Sequence, residues 1–585
     1  MPAKNGWTPI ALAPLSGILD TRSRPAELAP AAIRYKLNMA INRTGSLSTR
    51  AGHAALNFGS ASNSPALPNW DFHRRGTTRE SVTFLFEATA SSGIRYLYAG
   101  SETALHKLNN STSEWATLSG SGYVGPVWKA AVLSDDVVFV NNQTIRLHDI
   151  NGFGLGTGFT WTPNAAVTRA KIAITFADVV MLMNVDVSGT GTRTSRVVWS
   201  DYRDAKNFDG SNPASLSGFQ DLDYGDAILN AAEMMGSLYI FCERSIWRCT
   251  INVTQNTIFA FQKIYSEPKN SSGCLAYANT LVTTGRELYW WSRDAIWTFN
   301  PYLVTPECTE WLLKGTGALF SEDNSDRFNR ACCDSIVGEY KPLTREIWYS
   351  YPQGGEVAIC SNNRCMVLNT EYKTMDLVDH GYTAFCNFRK TPGAGEACNA
   401  DQTFIGASAT DYCLKSIGDV FYREMATVVN GSKVNDIPDA SYALTEVGYY
   451  CRWVGCIPLG LTNVEKSCRE LLVDCEVKPN SLTSPNLLTL SIGNSFALQD
   501  PMSIDPRCAV QFHVQDPQPL ACPDTETIAA MSADNLRPSD PLAFVMMEQA
   551  NYLFYDLRVV GPDGVSAPTF HDAAFSALRF DVKTV

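Results

Sequence analysis

Short apolar runs rich in aromatic and β-branched residues alternate with polar turns along most of the chain, a pattern that predicts antiparallel strands. Leu238-Tyr239-Ile240-Phe241 leads through Cys242 to Ser245 into Ile246-Trp247. From position 288, Leu288-Tyr289-Trp290-Trp291 leads through Ser292 to Ala295 into Ile296-Trp297 with the same internal spacing. Each half reads as a hairpin, with the first run as a strand, the polar residues as the turn and the Ile-Trp pair as the start of the return strand. Looser echoes follow: Arg95 to Tyr98 with Ala104 to Lys107, Val137 to Val140 with Thr144 to Leu147, Val179 to Leu182 with Arg196 to Trp199, and Glu346 to Ser350 with Cys365 to Leu368.

Hairpins alone fit any antiparallel β protein. Their recurrence at about 40 to 60 residues, however, is the spacing of β-propeller blades. Radial stacking of blades leaves only short, protected strand edges, which lets a long β chain avoid edge-to-edge aggregation. The fold class expected is therefore all-β, a β-propeller over 66-435, flanked by an N-terminal extended arm over 1-65 and a β-sandwich-like closing domain over 436-585. Pro9, Pro14, Pro25 and Pro30 break up the arm and leave room for a helix only near Glu27 to Ile41. Irregular stretches at Gly393 to Ala400 and Asn430 to Asp439 mark loops, and alternation resumes at Leu471 to Val477, Leu487 to Ile492, Tyr552 to Val559 and Ala577 to Val582.

Composition narrows the classes. At 585 residues, 45% hydrophobic and 18% charged, the chain can bury a large core and divide into several units. No apolar stretch near the start matches a signal-peptide core and none is long enough to span a bilayer, so synthesis and folding in a cytoplasm are expected. The 17 Cys all lie from Cys242 onward, without a CxxC pair, and read mainly as free buried thiols. The shared offset of Cys360/Cys365 and Cys451/Cys456 and the adjacency of Cys332-Cys333 keep a disulfide open as the lesser reading. A net charge of −12 argues against a surface that grips nucleic acid and suits one that DNA passes without sticking.

The usual catalytic signatures are missing from the sequence: no GxxxxGK[ST] loop, HExxH, GxSxG elbow or full EF-hand loop occurs. The seven His, at 53, 73, 106, 148, 380, 513 and 571, do not fall at metal-ligand spacing and read as structural or surface residues. Asp221, Asp223 and Asp226 form the best acidic group. On a strand, Asp221 and Asp223 would share a face and could share a proton or hold Ca²⁺, whereas Tyr224-Gly225 favours a plain turn between blades. Asp201 and Asp204 read as acceptors for turn N–H groups. No catalytic, cofactor or metal residue is assigned, and no enzyme activity is expected.

Three segments together carry a resemblance. Gly17 to Arg22, Arg34 to Ala40, Gly45-Ser46-Leu47 and Arg50-Ala51-Gly52 resemble the opening of the nozzle (tail tubular protein B-like) proteins of short-tailed bacteriophages, with Ala51 where Pro is usual. Val198 to Asp201, Asn207 to Gly210 and Gly236 to Phe241 resemble the central propeller strands of phage tail proteins, and Trp348 to Pro352 with Cys365 to Tyr372 and Asp376 completes the set. The resemblance implies a structural virion protein: a cyclic homo-oligomer, six copies in the family, forming a ring below the portal-bound adaptor. That ring would frame the double-stranded DNA ejection channel and hold tail fibres or a tip protein. On this model the arm docks on the adaptor ring, and Arg22, Arg24, Arg34, Arg43 and Arg50 give it a basic tilt for an acidic surface there. The alternative is a receptor-facing tail protein that binds or degrades glycans. It would need several of Trp115, Trp128, Trp161, Trp290 and Trp291 on an open cleft, whereas a conduit buries them in the blades.

Overall fold

In the computed structural model, the backbone is described for residues 8–12, 33–41 and 47–56, for most of 74–418 apart from short breaks and the stretches 119–127, 267–275, 301–327 and 390–401, and for the strands between 423 and 584; beyond residue 418, side chains are described only for Cys451 and Trp453. The tandem hairpins are consecutive blades with equivalent register: Ile240 faces Trp247 and Phe241 faces Ile246 in one, and Trp290 faces Trp297 and Trp291 faces Ile296 in the next. The four looser echoes are likewise the adjacent middle strands of four further sheets.

Seven blades follow in chain order. Their innermost strands are Val82–Thr89, Lys129–Leu133, Val167–Phe176, Ile228–Met234, Val282–Thr283, Val337–Lys341 and Tyr382–Phe388. Each touches the next, and Tyr382–Phe388 returns to touch Val82–Thr89, so the ring is closed. Alternation along the strands supplies two apolar faces per blade, and these meet in seven clusters, one in each gap between neighbouring blades. Between blades five and six, the fully buried Trp291 packs edge-on to Tyr349 at 5.7 Å and to Phe328 at 5.4 Å between ring centres. Such pairs contribute about 0.5–1.5 kcal/mol each beyond the burial of area.

Much of the expected N-terminal arm is strand within these sheets. Ile33–Leu37 extends the sheet of blade six, lying beside Thr374–Val378 and antiparallel to Cys451–Pro458. His53–Ala55 is added outside Leu414–Ile417 of blade seven. The window near Glu27 to Ile41 is therefore strand rather than helix over its second half, Ile33–Leu37 and Met39–Ile41, because partner strands satisfy its N–H and C=O groups. Between the two, Asn38 takes φ +54°, and its side chain donates to Asp379 Oδ1 at 2.8 Å and accepts from the Asp379 N–H at 3.2 Å.

The C-terminal alternation forms strands as read: Lys466–Lys478, Leu487–Ser495, Tyr552–Val560 and Asp572–Thr584. Asp572–Thr584 and Lys466–Lys478 pair within a six-stranded sheet that also takes in Thr8–Leu12 and Leu47–Thr49, while Tyr552–Val560 and Leu487–Ser495 continue the sheet of blade six. The expected loops at Gly393 to Ala400 and Asn430 to Asp439 lie outside the described residues. One disulfide, the lesser of the two readings, is present beside thiols that are mainly not disulfide-bonded among the described residues: Cys332, in the short 3-10 helix Arg330–Ser335, is bonded to Cys360. The folded sheet of blade six brings together two positions that sequence spacing does not pair. Cys242, Cys249 and Cys386 are buried free thiols, and burial pushes Cys242 and Cys249 up to about 12, leaving unreactive thiols at neutral pH.

Candidate functional site: the ring closure and the axial tunnel

The residues considered for chemistry are engaged in structure. The strand carrying Asp221 ends there, at Gly218–Asp221, so alternation does not align Asp221 with Asp223. Asp221 takes a bidentate pair from Arg196, both contacts at 2.6 Å, and Arg196 holds its carboxyl below the usual range. Asp223 pairs with Lys263 on the neighbouring blade. Asp226 accepts from the Arg244 N–H at 2.9 Å and from Ser245 Oγ, tying the turn to its own hairpin. Asp201 accepts the N–H groups of Tyr202 and Leu216, and Asp204 that of Lys206, as turn acceptors do.

Among the histidines, His53 meets the Tyr382 hydroxyl at 2.9 Å, His106 meets Thr117 Oγ1 at 3.2 Å, His148 meets the Gly154 carbonyl at 2.8 Å and His380 meets Ser408 Oγ at 3.1 Å. The side chains of His73, His513 and His571 lie outside the described residues. Among the described residues no group of three or more His, Cys, Asp or Glu is placed to hold a metal ion. Trp128, Trp290 and Trp291 are buried, and Trp115 is half-buried against the cluster between blades seven and one; Trp161 lies outside the described side chains.

Two polar constellations do stand out, and neither was legible as a motif. The first is an ion cluster at the ring closure. Arg50, just before the closing strand, donates through Nη1 to Glu346 Oε1 at 2.8 Å and through Nη2 to Asp376, and Lys36 pairs with the other Asp376 oxygen. All four side chains are almost wholly buried. Burial lowers Lys36 more than Asp376 raises it. For Arg50, burial is outweighed by Glu346 and Asp376, so its charge is secured; for Glu346, burial is outweighed by Arg50 and Lys341, which hold it below the usual carboxylate range. This corrects the view of Arg50 as part of a basic surface for an adaptor. The side chains of Arg22, Arg24, Arg34 and Arg43 lie outside the described residues.

The second constellation lines the axis. Lys129 begins the inner strand of blade two, Lys171 lies on that of blade three and Glu339 on that of blade six. Lys129 and Glu339 sense one another's charge although they belong to blades far apart around the ring. Both side chains are half-buried. Burial is the largest influence on each: it lowers Lys129 and pushes Glu339 up to about 7, against the opposing effects of the Tyr340 N–H, Lys129 and Asn387. Asn387 of blade seven fixes the carboxylate, donating to Glu339 Oε1 at 3.3 Å and to the Tyr340 carbonyl at 2.6 Å. The sequence signal was a charged residue inside an apolar strand run, as in Lys129-Ala-Ala-Val-Leu133 and Ala170-Lys-Ile-Ala173.

No protein-family model and no curated protein matches the sequence. Among solved structures, the chain is similar to an extracellular domain assigned to a one-component system of B. thetaiotaomicron, at 9% identity and a TM-score of 0.37. The similarity covers 61% of this chain and 41% of that one. It is too distant to carry an argument about role, and the propeller is established by the strand pairing itself.

Proposed function

We propose that the protein is a structural component of a bacteriophage tail, a nozzle subunit whose copies form a ring below the portal-bound adaptor and frame the channel through which the genome leaves. The observation that carries this reading is the closure of the ring. A segment that resembles the opening of the nozzle proteins ties blade six through Arg50 and adds the strand His53–Ala55 to blade seven, which makes the propeller one stiff block. A conduit under pressure needs such a block. The carboxylates that an enzyme reading would recruit are engaged by Arg196, Lys263 and turn N–H groups, which supports a mechanical role. The acidic balance of the chain favours passage of DNA over its retention on the wall.

Negative-stain imaging of the purified protein, alone and mixed with adaptor-bearing capsids, tests the proposal. Rings that add density at the portal vertex are the expected result. A particle that ignores capsids and binds host-surface glycan overturns it in favour of the receptor-facing reading. That reading has one specific foothold: Tyr202 and Phe219 of blade three are about half exposed, each under an arginine, Arg203 and Arg196.

A further inference from the structure

We propose that the Lys36 amine and the Asp376 carboxyl condense in the folded protein to a side-chain amide, a covalent cross-link that ties the N-terminal segment to blade six. The inference is independent of the tail reading and holds whatever the ring is used for.

Strand pairing sets the two reactants side by side. Leu37 and Leu377 are partners on adjacent parallel strands, so Lys36 and Asp376, one position earlier on each, project from the same face of the sheet. Lys36 Nζ and Asp376 Oδ1 are in direct contact, and the two side chains are 0% and 1% exposed. On its other side, Lys36 is the register partner of Trp453, which is also buried. The enclosure keeps water from the reacting atoms.

Other buried lysines are engaged differently. Lys107 donates to the carbonyls of Ile150 and Gly152, and Lys341 to that of Ile417. Among the described residues, the Lys36 ammonium meets Asp376 Oδ1 alone. An ammonium carries three donors and an amide nitrogen one, so condensation removes donors that the interior leaves unmet. Burial lowers Lys36 more than Asp376 raises it, which favours the uncharged amine that a nucleophile must be. Arg50 Nη2 donates to Asp376 Oδ2, and Glu346 accepts from Nη1 of the same guanidinium at 2.8 Å.

The step balances within the pair. One ammonium proton passes to Asp376 Oδ1, and Nζ attacks Cγ, so that the developing negative charge collects on Oδ2 against Arg50. A second proton follows from Nζ to Oδ1, the Cγ–Oδ1 bond breaks, and Oδ1 leaves as water. The ion pair in the structure is the state before this step. Afterwards Arg50 and Glu346 remain, one cation and one carboxylate in place of two of each, and burying fewer charges costs less. The fold holds the reactants in contact, which removes the entropic cost of bringing them together.

Mass spectrometry of the full chain, reduced and denatured after incubation in the folded state, reads the bond. The expected result is an intact mass one water below that of the unmodified chain and, after digestion, a branched peptide that joins the segments carrying Lys36 and Asp376. Lys36→Met should restore the full mass and release the two segments separately. Should that variant not fold, the wild type decides alone, because its branched peptide needs no comparison. A wild type of full mass with both segments recovered unlinked overturns the proposal, as does a mass one water lower without the branched peptide.

Discussion

Arg50 and Glu346, 296 positions apart in the chain, share a buried hydrogen bond of 2.8 Å, and through it the N-terminal segment is locked to blade six. The same guanidinium reaches Asp376, and Lys36 completes the group, so the closure holds two cations and two carboxylates away from water. Buried pairs of this kind stabilise little against an apolar replacement of the whole group. Removing one partner is different, because it strands the others.

Arg50→Met is accordingly expected to destabilise the protein by about 3–5 kcal/mol, since Glu346 and Asp376 would then face each other with Lys36 alone. Urea unfolding followed by tryptophan fluorescence checks this. A loss below about 1 kcal/mol, the range of an exposed pair, would mean that water reaches the cluster.

Glu346 and Glu339 set opposite pH dependences. Glu346 is depressed in the folded state, so its contribution is present above the unfolded carboxylate range and is lost as the pH falls through its lower folded value. Glu339 is raised to about 7, so the folded state binds its proton more tightly than the unfolded chain does, and stability declines as the pH rises from the ordinary carboxylate range to about 7. Glu339→Gln should thus raise the melting temperature at pH 8 and leave it nearly unchanged at pH 4. Equal effects at both values would show that the carboxylate is solvated like a surface group.

Gly381 precedes the inner strand of blade seven, and a Cβ there would lie 2.0 Å from the Asn362 carbonyl oxygen. Backbone cannot swing aside as a side-chain tip can, so Gly381→Ala is expected to cost roughly 1–3 kcal/mol, the range of an overpacked core. Thermal melting beside Gly93→Ala gives the contrast. Gly93 has open space but φ +81°, so its cost comes from backbone strain alone.

The Cys332–Cys360 link spans 28 positions, and closing a loop of that length restricts the unfolded chain by about 3.5 kcal/mol in the entropic picture. Cys360→Ser should lower stability by up to that amount, and added reductant should lower the wild type to the same level. If reductant leaves the wild-type melting curve unchanged, the bond is either absent in solution or beyond the reductant's reach, and free-thiol titration of the unfolded protein separates the two.

The sequence by itself determined the all-β class and located six of the seven blades, because each hairpin is a local object: an apolar run, a polar turn and a return strand lie within a few residues of one another. It also read Asp204 correctly as a turn acceptor, since an Asx turn is decided within two or three positions. The tertiary structure decided what depends on distant meetings. Blade seven went unseen because its outer strand, His53–Ala55, comes from the far end of the chain, and Ile33–Leu37 is a strand only because Thr374–Val378 and Cys451–Pro458 lie beside it. Arg50 looked like one more surface arginine until Glu346 and Asp376 were brought to it, and Lys129 came to feel the charge of Glu339 only when seven blades closed around an axis. Local chemistry is written in spacing, whereas charge that must be neutralised in the interior finds its partner only after the chain has folded.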